Sequence, residues 1–550
     1  MKVASRSKGK LGLAALALLQ VLLSCDANSN GTVKPVASEE PTEGIEPLPI
    51  ELSFVRMTED DLILKLPGET LEDNRWTRLY EDELGIRIRY EWVSKGDLYD
   101  QKLGGALASG AIPDVVKVNA EQLRTLHNEG LIQELTEVYD QYASPFTKTI
   151  LNQEGSAPFQ RATIDGKLMA IPATGSSIEG AKYIWIRKDW LDRLELDPPR
   201  TMNDLLEISK AFTERDPDGN GRDDTYGIAL TRSLLAPLMG ISGLLAGYEA
   251  YPTMWLEDED GQLVYGGIQP QMREALLVLQ RLYKDGQIDP EFGFKNSVQE
   301  EKLIADGKIG LFYGEQWGSF LAQASRSKDP ESDWQAYPIV SATSEPVRVP
   351  LPLGTYQYLA VRKDYPHPEA LIKLLNLHLE KNWGETAEYE KYYSTPQPVW
   401  KLSPVTPYPA LKNLEAFRQL EQFRSTGDRS VLKAEAKAIQ KYIEIYEAGK
   451  ENRDAGWGWK KTYGPDGAFS ILEQYIRNDQ LLYERFLGPQ TSTMIEKQSV
   501  LYNLQIETYA NIILGRPIEE FDRFVQDWNS LGGERMTREV NEWLRQSNAP

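Results

Sequence analysis

The sequence predicts an α/β fold divided into two or more lobes, and two observations carry that prediction. At 550 residues the chain is too long to close around one hydrophobic core. From Glu51 onward, short β-type stretches alternate with amphipathic helical ones, the pattern of α/β lobes around a mainly parallel sheet.

The elements follow in order. Glu51–Arg56 reads as a first strand. Asp73–Leu84 has helical spacing, with Trp76, Leu79, Tyr80 and Leu84 on one face and Gly85 as its stop. Ile86–Trp92 alternates as a strand, Tyr99–Ala108 is helical, and Pro113–Val118 is a short strand of the buried type. Leu123–Glu129 is a helix ended by Gly130, and Ile164–Pro172 is a hairpin-like turn with an extended exit. Tyr183–Leu191 runs from strand into helix, and Thr201–Thr213 is a helix. Pro270–Tyr283 is an amphipathic helix with proline in its first turn and Gly286 beyond its end. Lys308–Gly314 and Gly354–Val361 are strands, and Pro368–Lys381 is a helix. The final stretch is mostly helical and acidic. Trp76, Trp190, Trp255 and Trp383 fall in helical or apolar patterns and read as core.

A net charge of −21 argues against nucleic acid or anionic lipid as a partner, because both need a basic face. His127, His367 and His378 form no ligand cluster, and the single cysteine excludes an intrachain disulfide. That cysteine follows a basic stretch (Lys2, Arg6, Lys8, Lys10) and a 13-residue apolar run, Leu11–Leu23, too short to span a bilayer. Residues 1–24 therefore read as a signal peptide. The ending Leu22-Leu23-Ser24-Cys25 resembles a bacterial lipobox, which implies cleavage before Cys25 and an acyl anchor on its sulfur. Residues 25–50, rich in Ser, Asn, Thr, Glu and Pro, read as a flexible tether.

Asp216–Gly227 has the spacing of a calcium loop. Asp216, Asp218, Asn220 and Asp224 fall at positions 1, 3, 5 and 9 of an EF-hand-type loop, and Gly221 falls at the bend at position 6. The carbonyl of Arg222 would supply the position-7 ligand. Position 12 is Gly227 instead of the usual bidentate glutamate, so Asp223, Thr225 or a distant carboxylate must complete a Ca2+ shell.

Several segments occur in one order: the lipobox, Asp165–Pro172, Trp185–Leu191, Asp216–Gly227, Tyr265–Pro270, Asp306–Gly310 and Gly456-Trp-Gly-Trp459. As an ordered set, over about residues 50–540, they resemble the extracellular solute-binding lipoproteins of carbohydrate ABC importers, near the calcium-containing branch with alginate-binding proteins. The resemblance implies a two-lobed periplasmic-binding-protein-like (type II) fold with hinge-linked lobes and a helical C-terminal region. It implies an N-terminal lobe of 51–175 and 352–405, and a C-terminal lobe of 176–351 and 406–550. Crossings are expected near Pro172–Gly180 and Pro350–Tyr356, with a return among Pro396, Pro398, Pro404, Pro407 and Pro409. The implied protein is a monomer, lipid-anchored on the extracytoplasmic face, that captures an oligosaccharide by lobe closure and delivers it to a permease. No catalytic residue is implied.

Saccharides need flat rings for stacking and polar groups for their hydroxyls, and the ligand crevice of an open α/β sheet lies beyond the carboxyl ends of its strands. Those rules select Trp317, Glu315 and Gln316 after Lys308–Gly314, with Tyr356, Tyr183 and Trp185 at the crossings. Trp457 and Trp459 flank Gly458 and are expected to present their faces from a glycine-rich loop. Two alternatives remain open, a binding lipoprotein for a peptide or other solute and a surface glycosidase. No nucleophile elbow, zinc signature or phosphate loop supports an enzyme.

Overall fold

A computed structural model describes residues 49–547 apart from 59, 395–396 and 450–452. The expected signal peptide, Cys25, nearly all of the tether and Pro396 lie outside the described residues. Among those described, no helix is long and apolar enough to cross a membrane.

The first body begins with a β-α-β unit. Strand Ile50–Met57 pairs in parallel with Ile86–Ser94, and helix Arg75–Leu84 lies between them in sequence. The helix starts at Asn74, whose side chain accepts from the backbone of Trp76 and Thr77 while Thr77 answers in a capping box. It stops at Gly85, which adopts φ 63°, a conformation that glycine reaches without steric cost. Ile86, Ile88 and Tyr90 point inward while the arginines between them face out, the period-2 pattern read from the sequence. A three-stranded sheet follows in the order Val115–Val118, Tyr358–Val361, Ile171–Pro172.

The second body centres on a four-stranded sheet in the order Trp334–Pro338, Tyr183–Arg187, Ile309–Gly314, Tyr226–Ile228. Long C-terminal helices surround it, among them Lys412–Thr426, Ala434–Glu447, Ser492–Ile513 and Glu534–Ser547.

Two hydrophobic clusters correspond to these bodies. One draws its buried residues from Leu52–Ile171 and Tyr358–Val405, the other from Ile178–Leu351 and Leu414–Val540. The chain therefore passes between clusters at residues 172–177, 352–357 and 406–413. The result is a two-lobed fold of the periplasmic-binding-protein type with a helical C-terminal region.

The expectation of mainly parallel sheets is corrected. Tyr358–Val361 is antiparallel to both its neighbours, and Tyr183–Arg187 is antiparallel to both of its own. Both strands enter their lobe directly from a crossing, so they lead away from the space between lobes. The strands beside them, such as Ile309–Gly314, run toward that space and deliver loops to it. The strand expected from Gly354 begins only at Tyr358, because residues 352–357 are the crossing itself.

Candidate functional site

The crossings touch at two glycines. A Cβ on Gly175 would stand 2.1 Å from the carbonyl oxygen of Gly354, and one on Gly354 would stand 2.4 Å from the Ser177 nitrogen. No side chain fits at either position. Glu154 ties the contact to the first body by accepting the Ser177 N–H and, at 3.2 Å, the Ser177 hydroxyl. Gly354 N–H donates to the same hydroxyl at 2.7 Å. The third passage joins through Tyr408 N–H to Thr174 Oγ1, 3.3 Å, and Leu411 N–H to Gln153 Oε1, 3.1 Å.

Beside this contact lies a cavity of about 900 Å³, within the size range of small-molecule sites. Both bodies and all three passages line it. Ile309–Gly314 ends at its edge and hands over Glu315-Gln316-Trp317, all three of which line it. Trp317 is 40% exposed. Its indole N–H donates to Glu315 Oε2 at 2.8 Å, while the other carboxylate oxygen takes the Lys182 ammonium at 2.8 Å. The Glu315 carbonyl accepts the indole N–H of Trp185 at 3.1 Å, so backbone and side chain are both fixed. Gln316 is buried, and its carbonyl accepts Thr462 Oγ1 at 3.1 Å. Tyr356, on a crossing, is 72% exposed and also lines the cavity. Glu179 lines it as well; burial pushes its carboxyl up to about 7, with the Lys412 ammonium opposing that rise. Lys412 stays above its usual value despite burial, because Glu435, Tyr393 and Glu179 surround it.

Of the residues selected from sequence, Glu315, Gln316, Trp317 and Tyr356 come together here, and the other four do not. Tyr183 and Trp185 are fully buried in the middle of the sheet, where Trp185 stacks on Phe312. They lie within a strand paired on both sides, and their side chains enter the core. Trp457 and Trp459 are not in a glycine-rich loop. They open helix Trp457–Tyr463, which packs Trp457 wholly inside and sets Trp459 against Tyr442 at 5.1 Å and Phe320 at 5.0 Å. Gly458 serves that packing, since a Cβ there would meet Phe320 and Gln323 at 2.8 Å.

Arg56, Lys117, Asn119, Gln122, Trp400 and Tyr408 also line the cavity and were not selected. Arg56 and Lys117 lie near the carboxyl ends of strands Ile50–Met57 and Val115–Val118. The rule that selects Trp317 also selects them when it is applied to the first and third strands legible in the sequence.

The Asp216–Gly227 loop winds back on its own acidic side chains. Asp216 takes N–H groups of Asn220 and Gly221 at 3.0 and 2.9 Å, which winds the chain around its carboxylate. Asn220 Nδ2 donates to Asp218 Oδ2 at 2.7 Å and Asp224 Oδ1 at 3.1 Å. The Lys308 ammonium stands 2.6 Å from Asp224 Oδ2 and 3.6 Å from Asp218 Oδ2, a positive charge held by the same carboxylates. It holds the Asp224 carboxyl below its usual range. Thr225 does not complete the shell from its side chain, which is buried and donates to the Phe212 carbonyl at 2.7 Å. Among the described residues, no three His, Cys, Asp or Glu side chains gather closely enough to hold a metal ion. The donors fit a hard cation by type, with the Asn220 amide turned and Lys308 displaced.

Residues 66–383 match the family model described as bacterial extracellular solute-binding protein. The chain is 30% identical over 246 residues to the polygalacturonan/rhamnogalacturonan-binding protein YtcQ of Bacillus subtilis (strain 168), covering 44% of this chain and 46% of that protein. It spans about half the length of the curated relatives it matches. Among solved structures, the Streptococcus pneumoniae ABC-transporter substrate-binding protein FusA in complex with kestose superposes with a TM-score of 0.61 at 16% identity, over 91% of this chain and 100% of that one. The alginate-binding protein AlgQ2 without calcium ion gives 0.61 at 15% identity, over 90% and 98%. At these identities the likeness shows the fold. The family match covers more than half of the chain, and the chain belongs to the bacterial extracellular solute-binding proteins, a family of binding proteins and not of enzymes.

Proposed function

We propose that this chain captures an oligosaccharide between its two lobes and passes it to an ABC permease. The observation that carries the reading is the cavity at the crossings, where the exposed rings of Trp317 and Tyr356 stand with the polar groups of Glu315 and Gln316. Flat rings answer the C–H faces of a sugar, and fixed polar groups answer its hydroxyls. The saccharide names carried by relatives and structural neighbours favour the same ligand class over a peptide. We take the lobes as 51–175 with 352–405 and 176–351 with 406–550, hinged at the three passages. Closure would follow from contacts made by the sugar with both lobes at once. Cleavage before Cys25 and acylation of its sulfur would hold the protein at the outer face of the membrane through the 25–50 tether.

The test is a thermal-shift panel of oligosaccharides and peptides, followed by calorimetry. Stabilisation by at least one oligosaccharide, with the sugar recovered intact, is the expected result. Stabilisation by peptides alone, or release of shorter sugars, would overturn the reading.

We also propose that Asp216, Asp218, Asn220, Asp224 and the Arg222 carbonyl hold a structural Ca2+, which would rigidify the connection between helix Met202–Glu214 and strand Tyr226–Ile228. Excess EGTA should lower the Tm by a few degrees and calcium should restore it. An unchanged Tm, with no metal found by elemental analysis, would contradict this.

A further inference from the structure

The cavity carries two positive charges that no carboxylate answers among the described residues. Arg56 is the penultimate residue of strand Ile50–Met57, and Lys117 is the penultimate residue of strand Val115–Val118. Upstream of both cations the strands are tied together: Asp114, just before the second strand, accepts the N–H and hydroxyl of Ser53, midway along the first, on Oδ2 at 2.9 and 2.8 Å. Asp114 spends its remaining oxygen on Arg362 at 2.6 Å, so it is not available to the cations at the cavity.

Among the described residues, Arg56 donates only to neutral oxygens: Tyr90 Oη at 2.6 Å, the Leu402 carbonyl at 2.9 Å and the Lys401 carbonyl. These contacts aim the guanidinium and leave its charge uncompensated. Lys117 is accessible to solvent yet walled by the cavity. Its ammonium is held below the usual lysine value, first by desolvation and then by the charge of Arg56. Among the described residues, three acidic side chains line the same cavity, and none pairs with either cation. Glu315 is engaged by Lys182 and Trp317, Glu179 faces Lys412, and Asp100 lies on helix Gly96–Ser109 without an ion pair to Arg56 or Lys117.

In a chain of net charge −21, placing two cations side by side in a concave site costs energy unless something negative enters. We propose that Lys117 and Arg56 form an anion subsite, and that the saccharide taken by the cavity is an acidic one bearing a carboxylate or sulfate substituent. The anion would sit on the first-lobe wall while Trp317 and Tyr356 take a ring face. Lys117, whose donors carry no partner among the described residues, makes the direct contact, and Arg56 adds field from its fixed position. This rests on the saccharide reading above and specifies its chemical class.

The test is calorimetry of the full chain with α-1,4-trigalacturonate, its fully methyl-esterified form, a sulfated carrageenan hexasaccharide and neutral galactotriose. Either the uronate or the sulfated oligosaccharide should bind at least about tenfold tighter than the uncharged ones, and more weakly as salt rises. Whichever anion binds tighter identifies the substituent. Lys117→Gln should erase that preference, Lys117→Arg should retain most of it, and both should keep the wild-type Tm because the side chain is accessible. Equal affinity for charged and neutral oligosaccharides, or a preference untouched in Lys117→Gln, would overturn the subsite. Neutral sugars binding while every anionic one is refused would overturn it and leave the saccharide reading standing. Refusal of all four, and of the wider panel, would overturn both.

Discussion

Trp185 and Trp317 donate their indole N–H groups to the same residue, and their surroundings are opposite. Trp185 lies inside strand Tyr183–Arg187, has no exposed surface and reaches the Glu315 carbonyl. Trp317 lies three residues past the paired strand Ile309–Gly314, is 40% exposed and reaches the Glu315 carboxylate. One indole builds the platform and the other stands on it. A residue's place relative to the end of its strand decides which, because the sheet buries both faces of its interior and releases the chain only at the edge.

That contrast is sharpest in substitution. Trp185→Ala should empty a packed core beside Phe312 and cost about 3–5 kcal/mol in urea unfolding. A loss below about 1 kcal/mol would mean the interior tryptophan is not structural.

The buried carboxyl in the cavity lining should behave like the interior, not the rim. Glu179 has its carboxyl pushed up to about 7, whereas an unfolded glutamate ionises near 4.5. The folded state therefore holds a proton that the unfolded state has lost between those values. The stability this group contributes is full below about 4.5 and falls away as pH rises through 7. Glu179→Gln should match the wild type at pH 4 and exceed it by about 1–2 kcal/mol at pH 8, read from Tm profiles. A variant that tracks the wild type at every pH would place Glu179 with the solvated rim.

Trp317→Ala should do the reverse of Trp185→Ala. Its Tm should stay within a degree or two of the wild type, while saccharide affinity falls about tenfold or more. Equal affinity would remove Trp317 from the site.

The fold was legible because its signals are local. Asn74 and Thr77 cap one helix, Gly85 ends it, and the alternation of Ile86–Tyr90 needs no distant partner to be read. Strand direction was not legible. Whether Tyr358–Val361 runs with or against Val115–Val118 depends on where a crossing returns the chain, and that is a tertiary fact. Half of the expected site fell to the same blindness. Trp457 and Trp459 look like a loop because glycine lies between them, yet Gly458 is there to let Phe320 approach. Arg56 and Lys117 went unselected because a search for flat rings passes over cations, although their position at strand ends was in view.

The most direct measurement is a crystal structure with a bound oligosaccharide. The sugar should lie in the cavity at the crossings, with a ring against Trp317, Gln316 within hydrogen-bonding reach and contacts from both lobes. A saccharide bound elsewhere, leaving Trp317 and Tyr356 facing solvent, would contradict the account.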